Sequence, residues 1–118
     1  TKTKLDDISI ILQIEHIVAI ERLDDILSIP DIDAVFIGPY DLSGSLNQIG
    51  NLKHPEYLAA IEKFETTCKK HKVPMGQHIV QIGRQSINKA IDKGYSFIAL
   101  GTDAILLNTK MRHILDYE

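Results

Sequence analysis

The sequence predicts an α/β chain of four strand–helix units with parallel strands, and three observations carry that expectation. Short apolar, β-branched runs occur at 8–15, 34–38, 73–80 and 95–101 of the 118 residues. Each is followed by a stretch whose apolar residues recur at three- and four-residue spacing, the mark of an amphipathic helix. The links from helix to next strand are only a few residues long, as in α/β units. Strict alternation with right-handed crossovers leaves two architectures: an open doubly wound sheet, or part of a closed (β/α)8 barrel. A full barrel takes about 250 residues, so four units amount to roughly half of one, a (βα)4 half of a TIM barrel.

In the first run, 8–15, almost every residue is apolar and β-branched, the pattern of a strand buried on both faces, and it ends on Glu15. Ile17, Ala19, Ile20, Leu23, Ile26 and Leu27 then mark one helix over 17–28, stopped by Pro30. The second strand, 34–38, breaks at Gly38-Pro39 and delivers Asp41 three residues beyond Gly38. From Ser43 to Asn51 the residues are small and polar, which predicts a rim loop with a short helical turn. Pro55 suits a first helical turn, and Leu58, Ile61, Phe64 and Cys68 form the expected buried stripe of a helix ending in Lys69-Lys70-His71-Lys72. The third strand, 73–80, carries its proline at the start. Ile82, Ile87, Ala90 and Ile91 mark the next helix, closed by Gly94, and the strand 95–101 follows. Thr102 and Asp103 are candidate caps for a last helix bearing Ile105, Leu106, Met111, Ile114 and Leu115.

Net charge is −3 with dispersed lysines and arginines, and there is neither a nucleic-acid motif nor a phosphate-binding glycine loop, so neither nucleic acid nor an anionic membrane is expected as a partner. No apolar run approaches the ~18 residues of a membrane span, and Thr1 to Asp7 has no signal-peptide core. The single cysteine, Cys68, excludes an internal disulfide and fits a reducing, cytoplasmic setting. It sits on an apolar helical stripe, as a small core residue would. The chain starts on threonine, so Thr1 is not expected to be the natural start.

In parallel α/β folds, ligand-binding groups sit just past the carboxyl ends of strands. Glu15 and Asp41 occupy such places and are the candidate site carboxylates. Each also has a plainer reading, Glu15 as a rim carboxylate and Asp41 as the N-cap of a short helical turn. The five histidines, His16, His54, His71, His78 and His113, show neither helical pairing nor a ligand motif and are expected to be structural or superficial. His78, late in the third strand, is the one placed to face a barrel mouth.

The phrases Gln13-Ile14-Glu15, Asp33-Ala34-Val35-Phe36-Ile37-Gly38-Pro39-Tyr40-Asp41-Leu42-Ser43, Asn51-Leu52-Lys53-His54-Pro55-Glu56 and Ala99-Leu100-Gly101-Thr102-Asp103 resemble the HpcH/HpaI-type class II pyruvate aldolases. That family includes 4-hydroxy-2-oxoheptanedioate and 2-keto-3-deoxy-sugar-acid aldolases. The resemblance runs from about Ile10 to near the end and implies that 1–118 is a single partial domain, strands five to eight of the family barrel. It implies a lyase that splits 4-hydroxy-2-oxo acids into pyruvate and an aldehyde through a metal-stabilised enolate. By the same resemblance Glu15 and Asp41 hold a divalent cation, Mg2+, Mn2+ or Co2+, which binds a keto acid such as pyruvate or an oxaloacetate-like molecule. Gln13 is the supporting polar group, and Gly38, Pro39, Tyr40 and Asp41 cradle the substrate carboxylate. The family's catalytic His and Arg belong to its N-terminal half and match nothing here, so no catalytic residue is assigned. Arg22, Arg84 and Arg112 fall on helical stretches, and His16 stands where the family more often has Thr. The alternative is a catalytically incomplete binding or regulatory module. Open sheet edges imply self-association or a complementing half-barrel.

Overall fold

The computed structural model describes residues 8–80 and 82–115. The expectation for the first residues, 1–7, lies outside them. Strands β1 (Ile11–Ile14), β2 (Ala34–Ile37), β3 (Met75–Ile79) and β4 (Tyr95–Leu100) form one parallel sheet in the order β1-β2-β3-β4. Consecutive parallel neighbours of this kind are the unit from which a barrel is built, as the alternation predicts.

Helices α1 (Ile17–Glu21) and α2 (Leu23–Leu27) replace the single helix expected over 17–28. They part at Arg22, whose φ of −101° and ψ of 18° leave the helical region. The break costs the apolar stripe nothing, because Ile20, Leu23 and Leu27 are all buried. Helix α4 (Pro55–His71) packs against both. Its buried face is Tyr57, Ala60, Phe64, Thr67 and Cys68, rotated from the expected stripe so that Leu58 is 52% exposed. Helix α5 (Arg84–Lys93) covers β3 and β4 and ends at Gly94, whose φ of +96° is the left-handed cap the sequence predicts.

The sheet has two unlike faces because successive strand residues point to opposite sides. On the helix side, Ile14, Val35, Ile37, Met75, Ile79 and Tyr95 form the core with Leu42, Phe64 and Cys68. On the other side Ile11 is 44% and Phe97 46% exposed. The expectation that the first strand is buried on both faces is therefore corrected. Nothing in the described residues covers its inner face. Between β3 and β4 the register runs Met75↔Tyr95 and then Gly76↔Phe97, leaving Ser96 as an extra residue in β4.

Thr102 caps α6 (Asp103–Leu115) through a hydrogen bond from the Ile105 amide to Thr102 Oγ1 at 3.3 Å. None of its residues is buried, although its apolar positions recur helically as expected. The radius of gyration is 16.6 Å, larger than the about 13.5 Å of a compact domain of this length, in keeping with a helix that has found no core.

Candidate active-site rim

Gln13 and Glu15 lie two residues apart at the end of β1 and so share the inner face of the sheet. Gln13 Nε2 donates a hydrogen bond to Glu15 Oε2 at 2.7 Å, which orients one carboxylate oxygen. Gly38, just past β2, bonds through its amide to the Ile14 carbonyl at 3.0 Å. A Cβ there would stand 3.0 Å from both Gln13 Nε2 and Glu15 Cβ, and 3.3 Å from Glu15 Oε2. The absent side chain is what lets these groups meet.

Gly38 is also the N-cap of α3 (Pro39–Ser45), a helix where the sequence predicts a strand end and a loop. Pro39 occupies the first helical turn, where its missing N–H costs nothing. Its fixed φ starts the helix, and Leu42 N closes onto Gly38 O at 3.0 Å. The amides of Tyr40 and Asp41 belong to that first turn and have no intrahelical acceptor. Asp41 is an exposed first-turn residue and not the N-cap, a position that Gly38 holds.

Gln13, Glu15 and Gly38 are thus brought into contact, while Pro39, Tyr40 and Asp41 follow in the adjoining helical turn. Among the described residues, no group of three or more His, Cys, Asp or Glu is placed to hold a metal ion. The donor set this chain offers is therefore at most the two hard carboxylates with Gln13 alongside, a partial match to a Mg2+- or Mn2+-type oxygen site. The glycine-made clearance around Glu15 Oε2 is the feature that fits a bound group.

Most histidines have local structural work. His16 Nδ1 accepts from the Val18 amide at 3.2 Å and caps α1, and His54 Nδ1 accepts from Glu56 N at 3.4 Å at the start of α4. His71 and Lys70 meet Asp24 Oδ1 at 2.8 and 2.6 Å, joining α4 to α2. These contacts hold the Asp24 carboxyl below the usual carboxylate range, with the Lys70 hydrogen bond the largest cause. His78 differs, since it follows Gln77, the partner of Ile37, and so stands level with Gly38 on the inner face. Arg22 pairs with Asp25 on the helical surface at 3.5 Å.

Sequence reasoning missed Ser43 and the role of the loop it fixes. Ser43 is fully buried, its hydroxyl donating to Tyr40 O at 2.7 Å and accepting from Gly50 N at 2.9 Å. That tether holds the loop at Gly50 against α3, beside an open cavity of about 430 Å³ whose lining includes Tyr40, Asn51, Lys53, His78 and Ser86. The only signal in the chain was the phrase Asn51-Leu52-Lys53-His54-Pro55-Glu56, whose spatial partner could not be read from it.

The family model described as HpcH/HpaI aldolase/citrate lyase matches residues 1–109. The chain belongs to that family. A 2-dehydro-3,6-dideoxy-6-sulfogluconate aldolase of Pseudomonas putida is 36% identical over 110 residues, covering 93% of this chain and 42% of that protein. A 4-hydroxy-2-oxo-heptane-1,7-dioate aldolase of Escherichia coli is 35% identical over 102 residues, 86% of this chain and 38% of the other. Among solved structures, an HpcH/HpaI aldolase from Desulfitobacterium hafniense superposes with a TM-score of 0.85 at 31% identity, over 94% of this chain and 42% of that one. An HpcH/HpaI family protein from Burkholderia cenocepacia gives a TM-score of 0.88 at 24% identity, over 97% and 44%, a likeness of fold. The chain thus spans less than half the length of these HpcH/HpaI relatives.

Proposed function

We propose that this chain is the cation- and keto-acid-binding half of a class II aldolase, strands five to eight of the barrel, which splits 4-hydroxy-2-oxo acids into pyruvate and an aldehyde. The observation that carries the reading is the Gln13–Glu15–Gly38 contact at adjacent strand ends, with Asp41 in the helical turn that follows. Family membership supports the lyase class. The reaction breaks the C3–C4 bond: the 4-hydroxyl loses its proton and becomes the aldehyde carbonyl, and the electron pair left on C3 takes a proton to give pyruvate's methyl group. A divalent cation, Mg2+, Mn2+ or Co2+, held by Glu15 and Asp41 would supply the Lewis acidity that draws electron density toward the 2-oxo group. Gln13 fixes the Glu15 carboxylate, and the first-turn amides of α3 receive the substrate carboxylate. Proton removal from the 4-hydroxyl is assigned to none of these residues.

Sulfogluconate and heptane-1,7-dioate, which name two of the relatives, are acids charged at both ends, and a two-ended oxo acid is the substrate class we favour here. Barrel completion by a complementary half or a second copy, through the free edges of β1 and β4, belongs to the same reading, as does a cytoplasmic setting. The second reading is a catalytically incomplete binding or regulatory module, favoured because no residue here matches the family's catalytic His and Arg.

Calorimetric titration of Mn2+ into the chain tests the site. Glu15→Gln and Asp41→Asn are each expected to weaken binding by about tenfold or more, with folding unchanged by circular dichroism. Unchanged affinity in both variants would remove the assignment.

A further inference from the structure

We infer that the cavity between α3, its return loop and the end of β3 receives the far end of the oxo acid, the part that leaves as the aldehyde, and that Lys53 recognises a negative charge there. The inference rests on the aldolase reading above and adds to it a pocket and a specificity residue.

Placement is the first argument. Tyr40, next to Asp41, forms one wall, and the chain at Gly50 packs on its ring, a Cβ there lying 3.5 Å from Tyr40 Cε1. The opposite wall is His78, level with Gly38. The cavity is thus lined by the neighbour of Asp41 in α3 and by the β3 residue level with Gly38. Its volume of about 430 Å³ lies within the range of small-molecule pockets.

Charge is the second argument. Lys53 is the one lysine or arginine in the lining, and no Asp or Glu shares it. Lys53 has no ion pair among the described residues, whereas Lys70 and Lys93 are each committed to a carboxylate. An exposed lysine in the lining of a cavity with no acidic residue suits an anionic ligand.

Pre-organisation is the third. The loop carrying Asn51 and Lys53 is pinned by the buried Ser43 hydroxyl and by Asn51 N bonding Gln48 O at 2.8 Å. His78 Nε2 lies 2.9 Å from the Gly101 carbonyl, which can only accept, so that nitrogen carries the hydrogen. In the neutral ring this makes Nδ1 the acceptor, suited to a substrate hydroxyl. The larger cavity of about 690 Å³ shares Tyr40 and Val80 and carries Lys110 and His113, but its other walls are Ile82, Ile105 and Leu106 against α6, and His78, level with Gly38, is not among them.

An amide NMR titration of the full chain with succinate, a dicarboxylate that cannot be cleaved, reads the pocket directly. The Asn51, Lys53 and His78 signals are expected to shift, with affinity falling about tenfold in Lys53→Gln and recovering in Lys53→Arg. No shift at those residues, or an unchanged titration in Lys53→Gln, overturns the proposal. Cleavage in Mn2+ of two 4-hydroxy-2-oxo acids, one ending in a carboxylate and one in a methyl group, by the barrel completed with a complementary N-terminal half, is the companion measurement. Lys53→Gln should lower kcat/KM about tenfold for the first alone. Equal losses on both overturn the pocket, while no cleavage of either with the succinate response intact overturns the aldolase reading alone.

Discussion

The two faces of the four-stranded sheet are made by the same residues in alternation, yet they have opposite characters. Toward the helices, Val35, Ile37 and Met75 meet Phe64 and Cys68 in a closed core. Toward the barrel interior, Ile11 and Phe97 are half exposed and Gln13, Glu15 and His78 gather at the strand ends. The difference teaches that this chain's packed core lies on one side and the proposed site on the other, so each can be perturbed without the other.

The sharpest way to break that division is to truncate one aromatic on each face. Phe64→Ala removes a fully buried ring stacked 6.5 Å from Tyr95 and is expected to cost about 3–5 kcal/mol in chemical denaturation. Phe97→Ala loses an edge contact with Phe36, centroids 5.4 Å apart, and should cost less than about 1.5 kcal/mol. Equal losses would erase the distinction. Gly76 refines it, being the tight spot on the open face, where a Cβ would fall 2.7 Å from the Phe97 carbonyl and 2.8 Å from Phe36 Cδ2. Gly76→Ala should destabilise by about 1–3 kcal/mol, since backbone must move to admit the methyl group. A neutral result would mean that this face yields more readily than the geometry implies.

The smallest effect at neutral pH comes from the buried ionisable groups of the helix side. Burial pushes the Cys68 thiol and the Tyr57 phenol each up to about 12. Both groups stay neutral in the fold while the unfolded chain ionises first. Their stabilisation is therefore complete below the unfolded values near 9 and 10 and is lost as pH rises through about 12. Denaturation midpoints should be flat across neutral pH and fall above about 9, with the native thiol slow toward a disulfide reagent at pH 7. Fast labelling of the native protein would contradict the burial of Cys68.

How legible this was in the sequence depends on which forces acted locally. The strands and their order along the chain were readable because β-branched runs and short links are local facts, whereas Gln13 was placed near Glu15 by the family phrase, and the strand geometry that joins them, residues two apart on one face, explains the contact afterwards. The phase of α4 was misread because Tyr57 and Thr67 count as polar on paper yet pack inward, displacing Leu58 to the surface. Helix α3 was hidden because Gly38-Pro39 ends a strand and begins a helix with the same two residues. The Lys53 cavity was illegible for a different reason: its walls are 46 residues apart in sequence at their extremes, Tyr40 to Ser86, and the Ser43 tether and the pairing of β2 with β3 bring them together.

The extra residue Ser96 in β4 also sets a parity. Tyr95 points to the helices, stacked on Phe64, and Phe97, two residues later, points to the interior against Phe36. In an unbroken strand those two positions would face the same way. Ser96 thus acts as a one-residue phase inverter: everything after it, including Ile98 toward the core and Ala99 beside His78, keeps its side of the sheet only because the count is odd there.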